Sequence, residues 1–198
     1  MILDLSAEQP NPPPPTKRTD RAGNVTKVPK ARVRGGKVAT RTPTGITLHQ
    51  TWCWFGAKDD AARHRRALNV HAHWTCFRDG TAVLAYPLDW IVYHGNELNG
   101  TDVGIECEGM YEANGALRTP PAGVDVGRIV AAAREAITET VRRCPTVQYI
   151  HAHRQSSRSR ANDPGAYLWH EVALWAVREC GLIAQPMLAI GDGQALEW

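Results

Sequence analysis

Three stretches of this chain place side chains that can bind a metal or move a proton near the end of an apolar run. They are His49 in GITLHQT (45–51), Glu106 in DVGIECEG (102–109), and His153 with Asp163 in HAHRQSSRSRANDPG (151–165). A catalytic zinc takes about three protein ligands from His, Cys and carboxylate and keeps a further position for water or substrate. Two histidines and an aspartate meet that requirement, and a nearby glutamate can carry protons to and from the reacting atoms. Each residue alone also has a plainer reading. A strand histidine is commonly held by hydrogen bonds for structural reasons, and an aspartate before Pro-Gly can be a helix N-cap.

The elements that must position these residues follow from pattern. Gly45–Thr51 is apolar and β-branched and reads as a strand with His49 near its end. Asp59–Asn69 reads as a helix, and His71–Phe77 and Thr81–Tyr86 as a hairpin turned by Arg78-Asp79-Gly80. In Val103–Glu108 the period of two sends Glu106 and Glu108 to one face. From Asp125 to Cys144 the set Val126, Val130, Ala133, Ile137, Val141 and Cys144 recurs at helical spacing, and Pro145 ends it. Val147–Ile150 reads as a short strand, a polar arginine-rich loop runs to Asn162, and Pro164 opens a last helix ending at Gly181. Strands alternating with three helices predict an α/β fold: a single domain with a mixed central β-sheet flanked by about three helices.

At 198 residues the chain suits one catalytic domain with tails, and 43% hydrophobic with 22% charged residues is the composition of a soluble globular protein. Residues 1–40 form a proline-rich, basic leader expected to be partly disordered, 41–181 the domain, and 182–198 a tail. Thr16–Thr42 carries +8, leaving −5 for the remainder of a chain of net charge +3. That asymmetry suggests attraction to a polyanion. The five cysteines lack CxxC spacing, so neither a disulfide framework nor a thiolate metal cage is expected. The opening residues do not read as a signal peptide, and no stretch approaches the roughly 20 apolar residues of a membrane span. Synthesis in the cytoplasm, no membrane insertion and a monomeric state are the expectations.

GITLHQT, then VHAHWTCFRDG, then YHGNELNGTDVGIECEG, then HRQSSRSRANDPG, in this order, resembles the type 2 N-acetylmuramoyl-L-alanine amidases, which include phage endolysins and peptidoglycan-recognition proteins. The resemblance runs from about Gly45 to Trp169. It implies the amidase and recognition-protein fold, one Zn²⁺ ion, and hydrolysis of the amide between N-acetylmuramic acid and L-alanine in peptidoglycan. By the same resemblance His49, His153 and Asp163 would hold the metal, with ten residues from His153 to Asp163, and Glu106 would be the catalytic acid/base. His73 and His94 would line the substrate groove. His151 stays as a second metal candidate, and Glu108 as a second acid/base candidate.

One position departs from the family pattern. A lysine commonly stands two residues before the aspartate, where this chain has Ala161; Arg158 and Arg160 are close enough in sequence to supply the missing positive charge and His94 could supply a donor, with Arg160 the favoured residue. The rival of another class is a non-catalytic peptidoglycan-binding module on the same fold. The basic arm with Trp52, Trp54 and Trp74 also raises nucleic-acid binding, but no nucleic-acid motif accompanies them. Action on the cell wall would then follow phage-type release, as in lysis, or export by a secretion system.

Overall fold

The computed structural model describes residues 1–20, 23–112, 120–196 and 198. Arg21 of the basic arm lies outside them. The strands are β1 (Ile2–Asp4), β2 (Thr16–Thr19), β3 (Val25–Val28), β4 (Val33–Arg34), β5 (Lys37–Val38), β6 (Gly45–Gln50), β7 (Trp74–Cys76), β8 (Ala82–Leu84), β9 (Asp102–Cys107), β10 (Tyr149–Ala152) and β11 (Ile183–Ala184). Seven of them form one mixed sheet in the order β1-β8-β7-β9-β6-β10-β11. Strands β7, β9, β6, β10 and β11 run parallel, and β8 returns antiparallel to β7. The α/β architecture with a mixed sheet is the one the sequence pattern predicts.

Strand alternation divides this sheet into two unlike faces. Ile46, Leu48, Trp74, Cys76, Val103, Ile105, Ile150 and Ala152 point into one apolar cluster with α2 (Val126–Arg143) and the last helix. Burying aliphatic side chains of this size stabilises by roughly 1.5–3 kcal/mol each, so this face holds the sheet flat against α2. Asp125 caps α2 by accepting from Gly127 N, and the buried Trp74 indole donates to Thr140 Oγ1 on the helix. The alternate positions Thr47, His49, Gly104, Glu106 and His151 turn to the opposite face. There the polar groups must be satisfied by one another.

Several local expectations shift. The helix expected over 59–69 is α-helical only at α1 (Asp60–His64) and continues as a 3-10 turn over Arg65–Asn69. Strand β10 runs two residues later than expected, because Tyr149 pairs with Gly45 of β6. The last helix begins at α3 (Ala166–Leu168), after Gly165 rather than at Pro164. A π-helical turn, Trp169–Ala173, joins α3 to α4 (Leu174–Cys180), which ends on Gly181 in the left-handed conformation.

The larger corrections concern the two ends. The leader packs on the domain: Ile2–Asp4 is an edge strand beside β8, and Leu5, Ala31 and Val38 are buried. The tail also belongs to the packed body. Ile190 N and Gln194 N donate to the carbonyls of Gln155 and Arg154, and the Arg154 guanidinium lies 5.0 Å from the centre of the Trp198 ring. Short apolar islands in polar surroundings carry these contacts, which is why composition read both ends as peripheral.

Two outcomes follow for stability. A Cβ on Gly193 would sit 2.0 Å from the Gln155 carbonyl oxygen, so Gly193→Ala should lower the urea midpoint, at a cost of about 1–3 kcal/mol. Burial works against charge on His151, but the hydrogen bond to Asp102 overrides it and the pKa is raised above the ordinary 6.5. Stability from a raised histidine is fully present below the unfolded pKa and is lost as pH rises through the folded one. The stability gap between wild type and Asp102→Asn should therefore be widest below about pH 6.5 and narrow above it, as read from urea denaturation across that range.

Candidate functional site

Register across three adjacent parallel strands assembles the site. His49 of β6 lies directly opposite Glu106 of β9, and Leu48 lies opposite Ala152 of β10, so His153 follows at the level of His49. All three emerge at the carboxyl ends of their strands, where open α/β sheets generally place ligand sites. Asp163 arrives from the loop after β10. Its Oδ1 accepts from Gln50 N at 2.9 Å, which ties the loop to the end of β6. The Gln50 side chain accepts from Tyr111 N and donates to the carbonyls of Tyr111 and Asn162, so it also ties the segment after β9 to that loop.

The donor atoms converge. His49 Nδ1 and His153 Nδ1 are 2.9 Å apart, His153 Nδ1 lies 2.9 Å from Asp163 Oδ2, and His49 Nδ1 lies 3.8 Å from it. Among the described residues this is the one group of three or more His, Cys, Asp or Glu side chains whose ligand atoms come within 4.8 Å of one another. Their protonation follows from the partners behind them. His94 Nε2 lies 2.9 Å from the Asp102 carbonyl oxygen and must donate, so its Nδ1 accepts from His49 Nε2–H at 3.1 Å. That leaves the lone pair of His49 Nδ1 facing the cluster. Burial, then the neighbouring His153, holds the His49 pKa down to about 4, and burial keeps His94 well below the usual range. Both stay neutral near pH 7.

These residues fit a zinc ion. In the chain alone a single proton on His153 Nδ1 must serve both the His49 lone pair and the Asp163 carboxylate. A cation in its place meets two neutral imidazole nitrogens and a carboxylate oxygen, a donor set that suits zinc. Burial alone would raise the Asp163 pKa, but the hydrogen bond from His153 and the two adjacent imidazoles hold it well below the carboxylate range. A ligand must be ionised to bind, and Asp163 is.

Glu106 stands in the same cleft with its Oε2 buried and without a hydrogen-bond partner among the described residues. Burial, and next the Asp163 carboxylate, push its pKa well above the ordinary value, while the charge of Arg160 pulls it back. Glu108 differs entirely. Its carboxylate accepts from Phe55 N and Arg78 N and pairs with the Arg78 guanidinium at 3.0 Å, so it staples two loops and has no capacity left for the cleft. His151 likewise faces away, bound to Asp102 Oδ2 at 2.7 Å.

The cleft has a volume of about 320 Å³, and its walls include Trp52, His71, Tyr93, His94, Glu106 and Arg160. Arg160 is exposed at its rim, while Arg158 does not line it. His73 corrects an expectation. It is completely buried, its Nδ1 accepts from Gly104 N and its Nε2 donates to the Trp90 carbonyl, so it cannot line a groove. His94 does reach the cleft wall, packed over Gly104, where a Cβ would lie 2.5 Å from the ring. Sequence marked Trp52 only as a stacking aromatic and did not single out His71 or Tyr93 as site residues. Residue type gives no signal for them; Trp52 reaches the cleft through a left-handed backbone, φ 54°, just past β6.

Comparison with known proteins bears on the fold and on the family. Three solved structures share the fold. Drosophila PGRP-LB is 16% identical, with 88% of this chain and 95% of that chain covered and a TM-score of 0.55. The endolysin N-acetylmuramoyl-L-alanine amidase LysCS from Clostridium intestinale is 13% identical, with 92% and 97% covered and a TM-score of 0.52. Drosophila peptidoglycan recognition protein SD is 18% identical, with 77% and 91% covered and a TM-score of 0.52. At these identities the likeness is one of fold. No curated protein matches the chain in sequence. The sequence model of the N-acetylmuramoyl-L-alanine amidases matches residues 39–166, from just before β6 through the Asp163 loop, and the chain therefore belongs to that family.

Proposed function

We propose that the protein is a zinc-dependent peptidoglycan hydrolase that cleaves the amide between N-acetylmuramic acid and L-alanine, and that it acts lytically on the cell wall after phage-type release or export. The observation that carries this reading is the convergence of His49 Nδ1, His153 Nδ1 and Asp163 Oδ2 beside Glu106, whose Oε2 is buried and has no hydrogen-bond partner among the described residues. A zinc ion held by those three atoms would supply Lewis-acid polarisation of the scissile carbonyl and make a water more acidic.

The chain's own residues do the remaining work. His94 fixes the tautomer and the ring plane of His49 by accepting its Nε2–H. Glu106, ionised, takes a proton from the attacking water. The ionised form that this first transfer needs would be favoured beside a bound cation. With its pKa raised to about 8 by burial and the Asp163 carboxylate, Glu106 holds the proton until it hands it to the departing alanine nitrogen, which cannot leave as an anion. Arg160 at the rim supplies positive charge for the oxyanion, in place of the lysine absent at Ala161. Favouring catalysis over a purely binding module is the cost of leaving a buried carboxylate oxygen unpaired, about 1–3 kcal/mol or more, which a non-catalytic groove has no need to carry.

Glu106→Gln should lower kcat/KM on a muropeptide by about a hundredfold to ten-thousandfold while zinc content, read by atomic absorption, stays at the wild-type value. Activity near wild type in that variant would remove Glu106 from its role. Asp163→Ala should abolish zinc retention through gel filtration. If the purified wild-type protein cannot retain zinc at all, the metal-dependent reading fails.

A further inference from the structure

The basic arm has a definite structure and place. β2 and β3 form an antiparallel ribbon in which Lys17 faces Lys27 directly, and β4 and β5 form a second in which Arg34 faces Lys37. Like charges directly opposite one another on a ribbon repel. Among the described residues, Lys17, Arg18, Lys27, Arg34 and Lys37 have no acidic partner to offset that cost. The remainder of the chain carries −5, so the positive field is local to this arm.

The first ribbon springs from the lip of the cleft, and two separate contacts anchor it there. Thr16, the first residue of β2, bonds through Oγ1 to His71 Nε2 at 2.7 Å, and Tyr93 N donates to the Lys30 carbonyl just after β3. His71 and Tyr93 both line the cleft. Arg18 shares the face of Thr16, two residues further along, while the Lys17–Lys27 pair occupies the other face. A polymer strand leaving the cleft past His71 therefore meets a narrow ribbon with exposed cations on both faces, Arg18 on one and Lys17 with Lys27 on the other. The arm from Thr16 to Val38 contains no aromatic residue, so it lacks the stacking platform by which basic surfaces hold single-stranded nucleic acid.

We propose that the β2–β3 ribbon extends the binding surface of the cleft and takes free carboxylates of the stem peptides on a peptidoglycan strand, with Lys17, Arg18 and Lys27 as the contacts. This rests on the reading of the cleft as a peptidoglycan site. It also adds to it, because it makes the extended polymer, rather than a single muropeptide, the preferred ligand.

The test is co-sedimentation of the full chain with purified sacculi in the presence of chelator, which reads binding without turnover. Wild-type binding should weaken steadily between about 0.05 and 0.3 M salt. The triple charge reversal Lys17→Glu, Arg18→Glu, Lys27→Glu should weaken it about tenfold or more at low salt. The charge-conserving triple Lys17→Arg, Arg18→Lys, Lys27→Arg should bind as wild type, and sacculi whose carboxylates have been converted to amides should bind poorly. Wild-type binding by the reversal variant, loss of binding in the conservative variant, or equal binding to amidated sacculi would each overturn the proposal. Displacement by an oligonucleotide at lower concentration than by soluble muropeptide would also overturn it and assign the ribbon to nucleic acid. Ribbon-dependent binding by a chain that cuts no muropeptide would sink the amidase reading and leave this one standing.

Discussion

Parallel pairing of β9, β6 and β10 fixes the level at which Glu106, His49 and His153 stand, and nearly everything else in the structure serves that alignment. His49 and Glu106 are register partners, and His153 is the first residue past the strand that pairs with β6. Because side chains alternate with a period of two, a slip of one residue in either pairing would turn a site residue into the apolar cluster and a core residue out of it. The apolar face packed on α2 therefore does more than stabilise. Ile46, Leu48, Ile105 and Ile150 lock the register that brings the polar residues together on the opposite side.

That opposite face could easily have been a liability. It buries Thr47, His49, Asp102, His151 and His94, and a polar group left unsatisfied there costs about 1–3 kcal/mol. The structure meets the cost with one connected chain of bonds. His151 and Thr47 bind Asp102 Oδ2, His94 donates to the Asp102 carbonyl and accepts from His49, and the remaining lone pair of His49 faces His153 and Asp163. Of the buried side-chain atoms without a partner among the described residues, Glu106 Oε2 and His153 Nε2 belong to residues that line the cleft. Thr75 Oγ1, on the same sheet face, and Thr81 Oγ1 are also without a partner among the described residues, so unmet capacity is not confined to the cleft.

Much of this was legible in the sequence, for identifiable reasons. The amphipathic stripe of α2, the Asp-Gly hairpin and the β-branched run ending in His49 are local signals, and each appears near its expected position. His49, Glu106, His153 and Asp163, singled out by a family pattern, come together at one end of the sheet. What the sequence left open depended on distant contacts. His73 and His94 look alike in sequence, yet the Trp90 carbonyl and the Gly104 amide commit one to the interior while the other reaches the cleft. Glu106 and Glu108 differ only in that Arg78 and Phe55, from other segments, claim the second. Neither the edge strand at Ile2–Asp4 nor the tail against Gln155 has a local pattern strong enough to announce itself.

If these residues, with zinc, cut one particular amide bond as proposed, the identity of the products will show it. Purified protein would be incubated with muropeptides of known structure, with and without a chelator, and the products identified by mass spectrometry. The expected result is a free stem peptide beginning at L-alanine, absent after chelation and restored by added zinc. Intact muropeptide in the presence of zinc-loaded protein, or cleavage between the sugars or within the peptide, would contradict it.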